Sequence, residues 1–107
     1  MTSFNKKVPS FGEQLRSIRE HSQLSLKEVS NGIGIDTSLL GKIERNERFP
    51  TKDQIDLIAK FFKLDKGQLI KEVLSDQFAY KIIEEEADLD TLRATEDKIR
   101  YLTKKKT

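Results

Sequence analysis

Apolar residues recur at every third or fourth position along most of the chain, which is the spacing of one face of an α-helix. The first stripe consists of Phe11, Leu15 and Ile18. Ser10 stands just before it and Glu13 lies three residues later, which is the arrangement of a capping box. The pattern therefore predicts a first helix over about residues 10–22.

Two short helices with a tight turn between them are predicted next. Ser25 and Glu28 form a second capping box, and Gly34 is suited to end that helix because glycine tolerates a positive φ. A third helix begins after Asp36, a strong N-cap residue, and ends near Asn46, which also tolerates a left-handed backbone. The apolar residues available to hold these helices together are Val29, Ile33, Ile35, Leu40 and Ile43.

Further helical segments follow to the end of the chain. A fourth helix begins after Thr51, its N-cap residue. The apolar residues of the fourth and fifth helices are Ile55, Ile58, Phe61, Phe62, Leu69, Ile70, Val73 and Leu74. Beyond Ser75 another apolar stripe predicts a helix over about residues 76–86, and either Asp88 or Asp90 caps a last helix.

These elements predict an all-α fold, because the chain has few β-branched runs and no strand-like alternation of useful length. We expect residues 8–75 to form a five-helix domain and residues 76–107 to form an extension of one or two helices. The extension has too few large apolar residues to fold alone.

Composition excludes several classes of function. The chain has 107 residues and no cysteine, which rules out disulfides and thiolate metal sites. Its one histidine, His21, is insufficient for a histidine metal cluster. Without a nucleophile–base pair or a phosphate-binding loop, we expect no enzyme, cofactor or metal. The chain lacks both a membrane-length apolar run and a secretory signal, so we expect a cytoplasmic protein without membrane partners.

The charge is unevenly distributed, although the net charge is only +2. Residues 76–97 contain eight acids and two bases, a net of −6, which leaves +8 on the rest of the chain. A basic body beside an acidic segment suits a protein with one anion-facing surface, whereas an ordinary solvated helix face is the simpler alternative.

The segment from Leu24 to Pro50 is the most informative, because two short helices joined by a tight turn form the pattern of a helix-turn-helix. In such a motif the second helix lies in the major groove of duplex DNA, which is about 12 Å wide, so its outer face must be compact and polar. The residues predicted on that face are Thr37, Ser38, Gly41, Lys42 and Arg45.

The sequence resembles the lambda-repressor-like (Cro-type, XRE) family of helix-turn-helix transcriptional regulators over residues 11–74. The residues that carry the match are Leu15, Arg19, the run Ile43-Glu44-Arg45-Asn46, Arg48, Pro50 and the segment Asp65–Leu69. The run Ile-Glu-Arg-Asn-x-Arg also resembles controller proteins of restriction–modification systems and regulators encoded near DNA methyltransferases. The resemblance implies the five-helix fold and the binding of double-stranded DNA.

Four positions depart from the family pattern. Leu26 stands where the family has a glutamine that contacts phosphate, so we expect that contact to be lost. Ser30 replaces a common alanine, and Asn46 replaces a common glycine. Gly41 replaces a frequent serine at a cost of about 1 kcal/mol in helix propensity, which a close approach to DNA or to another helix would explain.

The motif and the resemblance together indicate a DNA-binding surface. Its candidate residues are Lys27, Thr37, Ser38, Leu39, Lys42, Arg45, Asn46, Arg48 and Lys52. Thr37 and Ser38 either contact bases or only cap the helix. Leu39 either touches a thymine methyl group or lies at a subunit contact. Lys42 donates to a guanine or to a phosphate, and phosphate is favoured because lysine lacks a planar fork.

Arg48 is the leading candidate for bidentate recognition of a base or phosphate, and the alternative is a surface ion pair with Glu47 or Asp53. We assign phosphate contacts to Lys27, Arg45, Asn46 and Lys52. Glu44 is not expected to be a catalytic acid. The resemblance implies that it pairs with Arg19 and holds the first helix to the third.

One such unit reads only a few base pairs, and the resemblance implies dimers whose recognition helices lie about 34 Å apart. We expect a homodimer on an inverted-repeat operator that regulates its own operon and a restriction–modification or methyltransferase operon. The predicted dimer interface consists of Phe78, Ile82, Leu92, Ile99, Tyr101 and Leu102. The extension folding back on its own domain is the simpler alternative.

Two other functions compete with this prediction. The first is the antitoxin of a toxin–antitoxin pair, which would bind a protein toxin through its C-terminal helices. The second is a protein–protein adaptor that does not bind DNA, against which the basic face of the third helix argues.

Overall fold

The computed structural model describes residues 8–105, and within that range every regular element is an α-helix. The helices are α1 (Phe11–His21), α2 (Leu26–Ile33), α3 (Thr37–Glu44), α4 (Lys52–Phe62), α5 (Lys66–Glu84) and α6 (Leu89–Lys105). The predicted all-α fold class is therefore confirmed, although residues 106 and 107 of the expected extension lie outside the described residues. No helix in this range is both long and apolar enough to cross a membrane.

The helix ends lie where the capping residues predict them. At the start of α1, the Glu13 N–H donates to Ser10 Oγ at 3.3 Å and the Ser10 N–H donates to Glu13 Oε1 at 3.0 Å. The same reciprocal box begins α2 and α4. Gly34 ends α2 with a φ of 84°, and Asn46 follows α3 with a φ of 63°. Both residues therefore take the left-handed backbone expected of them.

The first five helices enclose one apolar core. In it α1 and α2 pack against α3, α4 packs against α2, and α5 contributes Leu69 and Val73. The largest fully buried side chains are Leu15, Val29, Leu40, Ile43 and Ile58. All of them come from the stripes with helical spacing, so burial of these stripes determines how the short helices are held.

Gly12 allows α1 and α3 to approach closely. A Cβ atom there would overlap the Ile43 carbonyl oxygen and Asn46 Oδ1, and it would lie 2.8 Å from the Glu44 carbonyl oxygen. Two of these atoms belong to the backbone of α3 and its end, so they cannot rotate away as a flexible side chain does. A glycine inside a predicted helix is a recognised signal of such an approach.

A buried ion pair also holds α1 to α3. Arg19 Nε donates to Glu44 Oε2 at 2.7 Å and Arg19 Nη2 donates to Glu44 Oε1 at 3.0 Å, a bidentate arrangement. Arg19 Nη1 donates to the Leu24 carbonyl oxygen at 2.8 Å. The hydrogen bond to Glu44 raises the pKa of Arg19 above its ordinary value, although burial opposes the rise. The structural interpretation of Glu44 is confirmed.

Helix α5 is continuous from Lys66 to Glu84, where the sequence predicted a fifth helix and a separate helix over about residues 76–86. No glycine or proline follows Gly67 within it, so nothing interrupts the helical backbone. The prediction placed a boundary after Ser75, but Ile70, Leu74, Phe78 and Ile82 recur every four positions across it.

Two polar side chains of α5 bond to α1. Asp76 Oδ2 accepts a hydrogen bond from the Phe11 N–H at 2.7 Å, and Gln14 Nε2 donates to Glu72 Oε1 at 2.9 Å. The Phe11 N–H is one of the amides that a helix N-terminus leaves without an internal partner, and a carboxylate is favoured there by the helix dipole. The first helix therefore depends on a residue 65 positions further along the chain.

The chain divides after Gln77 into two compact units. In the second unit Asp88 caps α6, since its Oδ1 accepts from the Thr91 N–H at 3.1 Å. None of the described side chains of this unit is buried, and only Ile82 and Ala87 are half-buried. The exposed large apolar residues of the unit are Phe78, Tyr80, Ile83, Leu89, Leu92, Ile99, Tyr101 and Leu102.

We expect Gly12→Ala to lower the free energy of unfolding by about 1–3 kcal/mol, because the new methyl group forces α1 away from α3. Urea unfolding followed by circular dichroism measures the change. Gly67→Ala is the matched control, because a Cβ atom there meets only the Asp65 side chain, at 3.3 Å. Equal losses in the two variants would contradict the close approach.

We expect Glu44→Gln to lower the free energy of unfolding by about 2–4 kcal/mol, because it removes the charged partner of the bidentate contact that Arg19 makes with the buried Glu44. The control is Glu20→Gln, which removes the acid of an exposed pair with Arg16 whose Nε–Oε2 distance is 3.1 Å. That control should cost less than about 0.5 kcal/mol. A change in Glu44→Gln no larger than the control would show that the buried pair contributes little.

Candidate nucleic-acid interface

A hydrogen bond between two hydroxyl groups joins α2 to the start of α3. Ser30 Oγ and Thr37 Oγ1 lie 2.6 Å apart, and Ser30 Oγ donates to the Lys27 carbonyl oxygen at 3.0 Å. Because a hydroxyl group has a single proton, Thr37 is the donor to Ser30. Ser30 is buried, so serine at this position adds a link between the two helices that alanine could not make.

The N-terminus of α3 is capped by Asp36. Its Oδ2 accepts from the Ser38 N–H at 3.1 Å and from the Leu39 N–H at 3.3 Å. The alternative that Thr37 and Ser38 only cap the helix is therefore wrong. Ser38 is exposed on the outer face, and Leu39 is half-buried against the edge of the core.

The five basic candidates are all exposed, and they are Lys27, Lys42, Arg45, Arg48 and Lys52. Lys42 lies four residues after Ser38 in α3, so the two share one face of the helix. Among the described residues, neither Lys42 nor Arg48 takes part in an ion pair. The alternative for Arg48, an ion pair with Glu47 or Asp53, is therefore not found among the described residues.

Glu47 pairs with Arg45 instead, a contact that the sequence analysis missed. Arg45 Nε donates to Glu47 Oε2 at 2.9 Å. This bond lowers the pKa of Glu47 and raises the pKa of Arg45. The pair spans two positions just after α3, a spacing with no regular side-chain geometry, so no sequence rule indicates it.

Gly41 is buried, so its predicted place on the exposed outer face is wrong. A Cβ atom at this position would lie 3.1 Å from Arg45 Nη1 and 3.8 Å from Leu26 Cδ1. Two side chains therefore cover Gly41, that of Arg45 from the end of α3 and that of Leu26 from the first turn of α2. Leu26 itself is half-buried against the core, which accounts for an apolar residue at that position.

Asn46 has a structural partner in α1. Its Oδ1 accepts a hydrogen bond from Ser10 Oγ at 2.8 Å, and the residue is half-buried. The side-chain oxygen of this phosphate-contact candidate is thus occupied by the protein. Asn46 connects the end of α3 to the start of α1, a role that only the three-dimensional contact reveals.

Four of the six candidate interface residues lie around one groove in the second unit. These are Phe78, Ile82, Leu92 and Ile99. The groove has a volume of about 510 Å³, and polar side chains such as Lys81 and Glu96 complete its lining. Tyr101 and Leu102 are exposed on α6 but do not line the groove.

Several solved structures are similar to this chain. The restriction–modification controller protein C.AhdI from Aeromonas hydrophila is 29% identical with a TM-score of 0.52, over 55% of this chain and 89% of its own. A chain of the SinR–SinI protein complex is 17% identical with a TM-score of 0.53, over 88% of this chain and 98% of its own.

The clp gene regulator ClgR from Corynebacterium glutamicum is 19% identical with a TM-score of 0.52, over 80% of this chain and 86% of its own. The likeness to SinR–SinI and ClgR concerns the fold alone. No curated protein sequence matches this chain.

The sequence profile of the helix-turn-helix domain matches residues 12–75, which include α2, α3 and most of the buried core. The match covers more than half of the chain, and the neighbouring structures are similar to it with TM-scores of 0.52 to 0.53. The chain belongs to the helix-turn-helix domain family, and its fold is that of the lambda-repressor-like (XRE-type) DNA-binding transcription regulators.

Proposed function

We propose that this protein is a sequence-specific regulator of transcription that binds double-stranded DNA as a homodimer on an inverted-repeat operator. The observation that carries the proposal is the outer face of α3, where Ser38 and Lys42 are exposed and Arg48 follows without an ion pair among the described residues. A polar, basic and compact helix face is what the major groove accepts.

In the proposed complex α3 lies in the major groove. The residues that contact DNA divide into two groups. Ser38, Lys42 and Arg48 face base edges or the adjacent phosphates, with Arg48 as the bidentate donor. Lys27 and Lys52 lie in the first turns of α2 and α4, where backbone amides and the helix dipole also favour phosphate.

The remaining candidates have less freedom to contact DNA. The Thr37 hydroxyl donates to Ser30, so towards DNA it can act only as an acceptor. Leu39 is half-buried and offers only part of its side chain to a thymine methyl group. Asn46 has its oxygen bonded to Ser10, which leaves its amide nitrogen for phosphate.

Dimerisation is proposed to occur through the second unit. Its two helical segments bury none of their described side chains, although several of these are large and apolar. Phe78, Leu92 and Ile99 are 62%, 44% and 58% exposed. Apolar surface of this kind is stabilised when it is covered, and a second copy of the same groove supplies a matching apolar face. Tyr101 and Leu102 extend this surface along α6.

The proposed target is the protein's own operon, together with restriction–modification or methyltransferase genes. The support is the 29% identity to the controller protein C.AhdI, which extends over 89% of that chain. Selection of bound sequences from a random DNA pool identifies the operator directly, and an inverted repeat upstream of the protein's own gene is the expected result.

A second candidate function is an antitoxin, and the apolar groove of the second unit is the observation that favours it. A groove lined by Phe78, Ile82 and Leu92 suits an apolar segment of another protein as well as a second copy. Stoichiometric purification with one small protein, in place of a homodimer, would select this function. The two functions share the DNA-binding unit.

We expect Arg48→Ala to weaken binding to the selected operator by about 5- to 150-fold, since a bidentate contact to a base is worth about 1–3 kcal/mol. Fluorescence anisotropy with the operator and with a scrambled duplex measures both affinities. Lys60→Ala is the control, because Lys60 is an exposed base that pairs with Asp56 on α4. An equal loss on both duplexes would reassign Arg48 to a phosphate contact.

We expect Ile99→Glu to convert the dimer to a monomer in sedimentation experiments, because it places a charge on the apolar groove. Binding to the inverted repeat should weaken by at least about tenfold, since two linked half-sites become one. Ile83→Glu is the matched control: Ile83 is 70% exposed on α5 and does not line the groove. A dimer that persists in Ile99→Glu would place the interface elsewhere.

A further inference from the structure

A carboxylate lies within the basic surface proposed to face DNA. Glu47 Oε2 accepts from Arg45 Nε at 2.9 Å, and both side chains are about half exposed, at 54% and 55%. The Glu47 N–H donates to the Lys42 carbonyl oxygen at 2.9 Å, which keeps Glu47 close to the end of α3. The backbone bond and the ion pair therefore place the negative charge beside the end of α3.

The Arg45 side chain also lies against Gly41. Position 41 has no Cβ atom, and Arg45 Nη1 lies 3.1 Å from where that atom would be. The guanidinium thus lies back along α3 over Gly41, while its Nε is bonded to Glu47. An exposed arginine is normally mobile, but this one has both a surface to lie on and a counter-charge.

The charges of the pair compensate one another at neutral pH. Arg45 lowers the pKa of Glu47 through the hydrogen bond and through its charge, and Lys42 adds to the effect. The carboxylate therefore stays ionised at any pH near 7. A phosphate that approaches Arg45 meets a guanidinium whose charge is already balanced, and it is repelled by the carboxylate.

We propose that Glu47 limits the affinity of this protein for DNA by neutralising Arg45, so that Lys42 and Arg48 are the effective cations beside the reading face. The inference rests on the proposed DNA-binding function. Binding that is independent of sequence is driven by release of counterions from phosphates, and each compensated cation removes one such contact. Glu47 thereby keeps the protein from adhering to arbitrary duplexes.

The test is the variant Glu47→Gln, which keeps an oxygen acceptor for Arg45 Nε but removes the negative charge. Affinity for a duplex of random sequence should rise by about 3- to 10-fold at about 0.1 M salt. The slope of log affinity against log salt should become steeper by about 0.9, the contribution of one additional phosphate contact. Anisotropy titrations at four salt concentrations provide both quantities.

The matched control is Glu20→Gln. Glu20 is also 54% exposed and also accepts from an arginine Nε, that of Arg16, at 3.1 Å, so this control removes an equivalent charge from α1. It should leave the affinity within about twofold of the unmodified protein and the salt slope unchanged. Circular dichroism confirms that both exposed substitutions preserve the fold.

A double variant, Arg45→Gln with Glu47→Gln, separates compensation from an active contact. It removes both charges of the pair, so the proposal requires the affinity and salt slope of the unmodified protein. Weaker binding by the double variant, or a Glu47→Gln variant that behaves like Glu20→Gln or binds more weakly, would overturn the role of Glu47 while leaving the proposed function intact. If the unmodified protein binds no duplex at all, the proposed function and this inference both fail.

Discussion

The pair between Arg19 and the buried Glu44 is the contact on which the position of α3 depends. Helix α3 has only eight residues, and a helix of that length is not stable on its own in water. Its place is set by bonds at both ends: Thr37 to Ser30 at its start, and Glu44 to Arg19 near its end. Since both oxygens of Glu44 are engaged, rotation of α3 about its own axis would break a bidentate contact.

The polar residues of this small unit divide between holding the fold and facing solvent. Ser30 and Glu44 are buried and have their side chains bonded within the protein, whereas Ser38, Lys42 and Arg48 are exposed. Sequence patterns alone do not separate the two groups, because both consist of polar residues near α3. The bonded residues hold the exposed side chains in a fixed geometry. Recognition of a base edge requires such a geometry, whereas attraction of phosphate requires only charge.

Much of the fold follows from local signals in the sequence, and much of the candidate site does not. Capping boxes and the left-handed backbone at Gly34 and Asn46 depend on residues within one turn, so they are predictable. The burial of Gly41 and the pair between Arg45 and Glu47 depend on how one long side chain lies across a helix surface. No periodicity encodes such a choice of rotamer. Helix α5 was divided after Ser75 in the prediction, although no glycine or proline interrupts the helix there.

The bond between Asp76 and the Phe11 N–H has a consequence for where this chain can be divided. A fragment cut at residue 75, the limit that the hydrophobic pattern suggests for the first domain, would lose the carboxylate that closes the first turn of α1. That turn carries Gly12 and is bonded to the end of α3 through Ser10 and Asn46. A fragment that keeps this bond therefore has to extend at least to Asp76, one residue beyond that limit.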